Sequence, residues 1–386
     1  MEPGSGCSRE GRVVNVGFSH EEEAFRAEVV EFLSDYRDLD AFFLQGHKWQ
    51  RVKALFAAMG ERGWLSLGWP KAAGGSGLPI TYEYILWDEV AYARAARNPL
   101  ASGIVAKTIA RYGSSQQIER WLPPIRAGAL HFSLGYSEPE AGSDLASVRC
   151  RAARDGDRYI VTGQKCWQSY AQDADQLWLL CRTGTQESRG RGLTLLIVDL
   201  AAEGVRVNPL PTLDGDQLNE VFLDAVEVPI DNRIGAENGA WTIMGEALAD
   251  ERHIQFPPKR VRRDLEEVIE WVRSRGLEGD ARVRRMLSDL AVQVLEVEMH
   301  GLRVLDAMQR GRPGVVEAAA NKVVHTVVCQ NIARAAVEFG GPEALVTGER
   351  IELLWRQSIW ETIGGGTSEV MRGVVAKQGL GLTGRT

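Results

Sequence analysis

Apolar positions along this chain change their period twice. From Ser19, a capping hydroxyl followed by glutamates, Phe25, Val29, Phe32 and Leu33 recur at helical spacing. The same spacing predicts helices over 49–63, 81–95 and 100–112, so the chain is helical up to about Gly128. The middle is different. Short runs of Val, Leu, Ile and aromatics at 131–137, 148–154, 159–163, 176–182, 193–200, 205–209 and 219–228 read as strands, separated by turns such as Asp155-Gly156-Asp157. No helix of crossover length lies between them, which predicts antiparallel pairing in a small barrel or sandwich. The helical period returns after Asn238. It predicts helices over 241–256, stopped by Pro257-Pro258, then over 261–275, 282–309, 315–339, 349–361 and 368–377. Long helices joined by short loops indicate a four-helix bundle. The expected fold class is α+β and multidomain: a tail (1–17), an N-terminal helical bundle (18–130), an antiparallel β-domain (131–236) and a C-terminal four-helix bundle (237–386).

Composition narrows the function classes. Apolar residues at 44% supply a packed core for 386 residues. A net charge of −7 with no long basic run argues against nucleic acid, and no apolar stretch reaches membrane-span length. The six histidines and five cysteines show no metal-ligand spacing, so no metal is expected. Dispersed cysteines and a charged start without a signal-like apolar run fit a reducing, cytoplasmic setting.

Four features could carry chemistry. Gly135-Tyr136-Ser137-Glu138-Pro139-Glu140-Ala141-Gly142-Ser143-Asp144 ends a strand with glycines and hydroxyls, which allow close backbone approach and hydrogen bonding to a ligand. A plain strand-to-turn junction has the same composition. In Gly163-Gln164-Lys165-Cys166-Trp167-Gln168-Ser169-Tyr170, alternation puts Trp167 and Ser169 on one face, where they flank a flat heterocycle or pack a domain seam. Ile363-Gly364-Gly365-Gly366-Thr367-Ser368-Glu369 brings glycines to a helix start, suited to phosphate or to an ordinary capped turn. Glu251 continues the apolar stripe of Met244, Ala247 and Leu248, the position of a general base or of a buried ion pair. The glycine-rich segment 68–77 lacks the order of a nucleotide-binding fingerprint and reads as an interhelical loop.

Together these segments resemble the acyl-CoA dehydrogenase family from about Phe18 to the C-terminus. Ser137-Glu138-Pro139-Glu140-Ala141-Gly142-Ser143-Asp144 is similar to its most specific signature, and Gly163-x-Lys165-x-Trp167-x-Ser169 to its second flavin-contacting strand. Asn219–Pro229 and Gly366-Thr367-Ser368 with Arg372 match two further segments. The resemblance implies the same three-part fold, non-covalent FAD, oxidation of an acyl-CoA or acyl-carrier thioester, and dimers or tetramers that share the FAD site. Carried over by position, Leu134, Ser137, Ser143, Trp167 and Ser169 contact the flavin, and Gly340, Gly341, Thr367 and Glu369 approach the adenosine-diphosphate part. Ser143, Arg252, Gly365 and Gly366 border the substrate. Two departures stand out. The family's commonest base, a glutamate directly before the Gly-Thr pair, is here Gly365. A minority of members carry the base in a Glu-Arg pair on the first bundle helix, which is the place of Glu251-Arg252. The family's Arg-x-x-Phe-Gly segment is also absent, and Arg284 is the candidate to take over its phosphate contact. The Gly-Gly-Gly-Thr-Ser-Glu form resembles a subgroup from bacterial steroid-side-chain breakdown and secondary metabolism, some of them unlike-subunit pairs.

The expected activity is FAD-dependent α,β-dehydrogenation with Glu251 as base and an electron-transfer flavoprotein as acceptor. The alternatives are a non-catalytic partner subunit and an oxidase or N-hydroxylase of the same fold.

Overall fold

The computed structural model describes residues 17–382; all of the expected tail except Gly17 lies outside the described residues. Five helices form the first unit: α1 (His20–Leu33), α2 (Trp49–Glu61), α3 (Ile80–Tyr92), α4 (Ala106–Tyr112) and α5 (Ser115–Arg126). Ser19 starts α1 with a reciprocal cap, its hydroxyl accepting from the Glu22 amide while the Glu22 carboxylate accepts from Ser19 N. Val29, Leu33, Val52, Leu55, Phe56, Met59, Ile85 and Leu86 close the core between α1, α2 and α3. The pattern read α3 and α1 well but not α5, whose Pro123-Pro124 sits near its C-terminal end and disguises it as a loop. The helix expected over 100–112 opens as a π-turn, Ala101–Val105, before α4.

Eight strands follow: β1 (Phe132–Gly135), β2 (Arg151–Asp155), β3 (Arg158–Gln168), β4 (Gln176–Arg182), β5 (Leu193–Asp199), β6 (Val205–Pro211), β7 (Gln217–Pro229) and β8 (Arg233–Ile234). All belong to one sheet, in the order β6-β7-β3-β2-β4-β5-β8 with β1 beside β4. Most pairs are antiparallel, as expected, but β1 runs parallel to β4, with Phe132 opposite Gln176 and Gly135 opposite Leu179. β2 also meets β4 in parallel at Arg151 and Arg182. The expected antiparallel pairing thus holds for most of the sheet, and these two parallel pairs are the departures from it. The chain crosses from β1 to β4 through the β2–β3 hairpin, so no helix was needed for the crossover. β4 is buried on both faces: Leu177 and Leu179 join a core with Tyr159, Val198 and Val226, while Trp178 and Leu180 face the helices.

The last unit contains α6 (Ala240–Asp250), α7 (Pro258–Ser274), α8 (Ala281–Gln309), α9 (Val315–Gly340), α10 (Arg350–Trp360) and α11 (Ser368–Val374). Val261, Leu265, Val268, Leu290, Val294, Val297, Val328 and Ile332 fill the space between α7, α8 and α9. Buried charges join this unit to the first. Arg94, before the π-turn, reaches Asp264 at 2.5 Å and Glu267 at 3.0 Å on α7.

One element ends early. Periodicity carries α6 to Phe256, whereas the helix stops at Asp250 and Glu251 is its C-cap (φ −107°, ψ 0°). The six residues that follow form a turn. Pro257-Pro258 explains a stop only at its immediate neighbour. The earlier break is tertiary: His253 pairs with Glu83 on α3 at 3.0 Å, and Ile254 is buried in the core of the first unit. Both contacts would be lost if the helix continued.

Candidate functional site

The signature stretch leaves β1 and folds back on β3. The Ser137 carbonyl accepts from Cys166 N at 3.0 Å, tying the start of the turn to the second motif. Glu138, inside the signature, is not a ligand candidate but a staple. Its carboxylate accepts from Arg149 N at 2.7 Å, Cys150 N at 2.8 Å and the fully buried Lys165 ammonium at 2.8 Å. Lys165 also donates to the Tyr136 carbonyl at 3.0 Å. A buried pair is tolerated when its remaining hydrogen-bonding capacity is satisfied, as here. Ser143 and Asp144 stand exposed beyond the turn, Asp144 paired with Arg189 at 2.6 Å. A Cβ on Gly142 would meet nothing within 4 Å, so this rim is open.

β3 departs from the alternation expected of it. Its register against β7 jumps between Cys166 and Gln168, leaving Trp167 as the extra residue of a bulge at φ +72°. The indole is 57% exposed. Trp167 and Ser169 therefore do not share a face through simple strand geometry; a large residue at positive φ is a strained, re-aimed side chain. The Ser169 carbonyl accepts from Ser133 Oγ at 2.8 Å, which fixes Ser169 beside β1. Leu134, on β1, packs against the core shared with α6.

The turn after α6 joins the last unit to the first. A Cβ placed on Gly103, in the π-turn, would lie 1.5 Å from Glu251 Oε1, so the carboxyl occupies the space that only a glycine leaves. Gly365 (φ +66°) meets the other end of the turn, its Cβ direction 3.1 Å from Gln255 Nε2 and 3.3 Å from Phe256 Cζ. Glu251 and Gly365, distant in sequence, thus flank one six-residue turn. Arg252 directs Nη1 to the Pro313 carbonyl at 2.7 Å, so at least one arm of its guanidinium is committed to the loop between α8 and α9. Gly366 (φ +90°) is crowded by Met371, whose Cε would lie 2.3 Å from its Cβ.

Behind this turn lies a buried ionic cluster. Burial alone would raise the Glu83 carboxyl, but Lys107 at 2.7 Å and His253 at 3.0 Å outweigh it and hold it down at about 2. Gly68 packs directly on this carboxylate, and Trp69 beside it donates to the Ser102 carbonyl at 2.8 Å. The glycine-rich loop is therefore interhelical, as its lack of a fingerprint implied, and it supports the π-turn.

The remaining candidates sit apart. Arg284 is exposed near the start of α8, and Gly340 and Gly341 close α9 at the same end of the antiparallel pair, as the Arg282–Glu338 ion pair shows. Gly340 lies against Trp271, 2.3 Å from its Cβ direction, whereas Gly341 (φ +57°) opens on nothing within 4 Å. Thr367 caps α11, its hydroxyl accepting from Val370 N at 3.2 Å, and Glu369 is exposed in the first turn. Their neighbour on α9 is Lys322, whose ammonium feels the charges of Glu361 and Glu369. Eighteen residues of helix from Lys322 to Gly340, counted on the sequence, span roughly 27 Å. Within one chain, then, Thr367 and Glu369 are not brought together with Gly340, Gly341 and Arg284.

Sequence reasoning missed Gly103, Tyr136, Lys165 with Glu138, and the Glu83–His253–Lys107 cluster. The available signal for Lys165 was its place in the alternation, on the face of β3 shared with Tyr159 and Val161. Gly103 gave none, because only the fold brings it to Glu251. Among the described residues, no group of three or more His, Cys, Asp or Glu could hold a metal ion, and no helix is long and apolar enough to cross a membrane.

Comparison with known proteins agrees with this architecture. Three family descriptions match in succession: the acyl-CoA dehydrogenase N-terminal domain over 19–129, the middle domain over 133–226 and the C-terminal domain over 238–380. Acyl-CoA dehydrogenase FadE26 of Mycobacterium tuberculosis is 38% identical over 350 residues, covering 84% of this chain and 86% of that protein. Acyl-CoA dehydrogenase FadE29 of the same organism is 35% identical, covering 85% and 88%. A solved structure described as the Tcur3481-Tcur3483 steroid ACAD superposes with a TM-score of 0.88 at 30% identity, covering 96% of this chain and 99% of the other. The ChsE4-ChsE5 complex from Mycobacterium tuberculosis gives 0.86 at 33% identity, covering 96% and 100%. The chain belongs to the acyl-CoA dehydrogenase family and is an acyl-CoA dehydrogenase-like oxidoreductase.

Proposed function

We propose that this chain binds FAD and removes two hydrogens, α and β to the carbonyl, from an acyl thioester borne by CoA or a carrier protein, with Glu251 taking the α-proton. The observation that carries this is the seat of Glu251. Its carboxyl fills the gap left by Gly103 where the first and last units meet, beside a turn whose other flank is Gly365. A glycine has no group to accept a proton, so the base must come from elsewhere, and Glu251 is the carboxylate on that turn.

The residues present fit a flavin. An exposed indole, re-aimed by a bulge at positive φ, offers a planar wall next to the Cys166–Ser137 backbone contact and Ser169. Leu134, Ser137, Trp167 and Ser169 would hold the ring, with Ser143 at the open rim. Arg284, Gly340 and Gly341 at one end of α9, and Thr367 and Glu369 toward the other, would hold the adenosine-diphosphate part. Their separation supports a site completed by a second chain, in a homo- or hetero-oligomer; the two solved neighbours named above carry paired chain names. When bound, FAD supplies the acceptor for the hydride equivalent that leaves the β-carbon. Gly365 and Gly366 would border the acyl group without side chains of their own, and Arg252, half-buried beside Glu251, would flank it.

The proposed acceptor in the cell is an electron-transfer flavoprotein. The test is anaerobic flavin bleaching by a panel of acyl-CoAs, beginning with steroid-side-chain thioesters because a solved neighbour is described as a steroid ACAD. Bleaching by any member supports dehydrogenation. Peroxide release during aerobic turnover would assign an oxidase instead. A colourless chain that turns yellow only with a partner would assign a supporting subunit.

A further inference from the structure

Glu83 is buried on α3, and no role in the chemistry has yet fallen to it. Its Oε2 accepts from Lys107 Nζ at 2.7 Å and meets His253 Nε2 at 3.0 Å. Burial opposes its ionisation, but Lys107 and His253 outweigh that and hold the carboxyl at about 2. An ionised carboxylate can only accept, so Nε2 of His253 carries the proton in this charge-assisted contact. From Glu83, contacts lead to both sides of the Glu251 seat. On the side of the last unit, His253 follows Glu251 by two residues, in a turn where the Glu251 carbonyl accepts from Ile254 N at 3.0 Å. On the side of the first unit, Lys107 stands on α4, four residues after Gly103. The glycine-rich loop gives a second link on that side. A Cβ on Gly68 would lie 2.8 Å from the Glu83 carboxyl carbon, and Trp69 donates to the carbonyl of Ser102, the residue before Gly103, at 2.8 Å. The ring closes where Glu251 Oε1 lies 1.5 Å from the Cβ direction of Gly103.

We infer that Glu83, acting through His253, is a positioning residue for Glu251: it registers the turn that carries the carboxyl against the π-turn that seats it. This rests on the reading of Glu251 as the base, and it adds what fixes the place of that base. The apolar period of α6 runs on past Glu251, whose own φ of −107° and ψ of 0° lie close to helical values. Local sequence therefore favours another turn of helix, which would carry the carboxyl away from Gly103. The His253–Glu83 contact opposes it from the first unit, and Lys107 keeps the Glu83 carboxylate from swinging aside. The neighbouring carboxylates of α3 have other duties. Asp88 accepts from Lys259 N on α7 at 2.8 Å, and Glu89 pairs with Arg26 at 2.8 Å and with Lys259. They hold α3 to α1 and α7 and lie outside the ring.

The test uses the flavin-loaded full chain as wild type, His253→Ala, His253→Gln, Asp88→Asn and Glu251→Gln, with a thioester that bleaches the wild type. Stopped-flow bleaching is read per bound flavin, together with the thioester concentration that gives half the limiting rate. His253→Ala should lose roughly ten- to a hundredfold in the limiting rate, the scale of a displacement near 1 Å, at an unchanged half-saturating concentration. His253→Gln, whose amide N–H can take the place of Nε2–H, should recover most of that loss. Asp88→Asn should keep the wild-type rate. A general loosening between the units would slow Asp88→Asn as well and would not be rescued by glutamine; that pattern, or a wild-type rate in His253→Ala, overturns the inference. The crystal structure of His253→Ala should show the Glu251 carboxyl displaced from Gly103, and an unmoved carboxyl overturns the inference whatever the rates. Loss of bleaching in Glu251→Gln beside a wild-type rate in His253→Ala would leave the base reading intact and remove Glu83. Retained bleaching in Glu251→Gln would remove the base reading, even where the carboxyl of His253→Ala has moved. Should His253→Ala fail to fold, His253→Asn, whose shorter amide falls short of Glu83, should slow bleaching in the same direction; a wild-type rate there counts against the inference.

Discussion

Gly103 and Glu251 show how a single hydrogen atom can set the seat of a carboxyl. Alanine at Gly103 would put its methyl group 1.5 Å from Glu251 Oε1, so the carboxyl must leave its seat. A displacement of about 1 Å can cost on the order of a hundredfold in rate. Gly103→Ala should therefore lower the flavin-reduction rate by roughly that factor while flavin content is retained, measured by stopped-flow bleaching. Two buried carboxyls make opposite predictions for stability. Glu83 sits at about 2 in the folded protein, below its ordinary value of 4.5, so its contribution is fully present above about pH 4.5 and lost as pH falls toward 2. Asp88 is buried at the N-terminus of α7, where it accepts from Lys259 N at 2.8 Å, and desolvation raises it from 3.8 to about 7. The folded state then holds a proton that the unfolded chain releases, so its effect weakens the fold as pH rises from about 4 to 7. Asp88→Asn should flatten that slope in urea titrations run between pH 4 and 8. A slope unchanged from wild type would contradict the assignment.

At the level of elements, Lys165 and Glu138 hold the signature turn to β3. Lys165→Met would leave Glu138 buried with a charge and only its two backbone donors, a loss of about 3–5 kcal/mol. Its thermal midpoint should fall by several degrees, and flavin should be released before the helical units unfold. Much of this organisation was legible in the sequence. α8, α9 and β4 follow their pattern almost to the residue, the helices because a long stripe of apolar positions is buried and β4 because its apolar run is buried on both faces. Glu251 was found for a reason the structure changes: it was placed on a helical stripe, and it lies instead at the C-cap where α6 breaks. That break depends on His253 and Ile254 reaching the first unit, contacts that no local pattern encodes. The Trp167 bulge was equally hidden, because alternation predicts a side for every residue and has no place for an extra one. α5 was masked by its prolines, and the parallel β1–β4 pair by the assumption that a crossover needs a helix.

Over the whole molecule, the groups proposed for the adenosine-diphosphate part fall in two sets, Arg284, Gly340 and Gly341 at one end of α9 and Thr367 and Glu369 on and before α11. An FAD site assembled from two chains accounts for this division. Dilution that separates the chains should release flavin in parallel, so the fraction of bound FAD should track the oligomer fraction in sedimentation at 450 nm, roughly where oxidised flavin absorbs. Flavin retained by monomers would argue for a site complete in one chain. The turn after α6 brings Gly103 of the first unit to Glu251 of the last, with Gly365 at its other end, while Gln357 of α10 joins all three units elsewhere by donating to the Phe43 carbonyl and to Asp214. The measurement that tests this arrangement most directly is anaerobic bleaching of Glu251→Gln by a thioester that bleaches the wild type. The variant should bind FAD and substrate normally, yet its flavin should stay oxidised over times in which the wild type is fully reduced. Bleaching at the wild-type rate would show that the proton leaves to another group and that Glu251 is not the base.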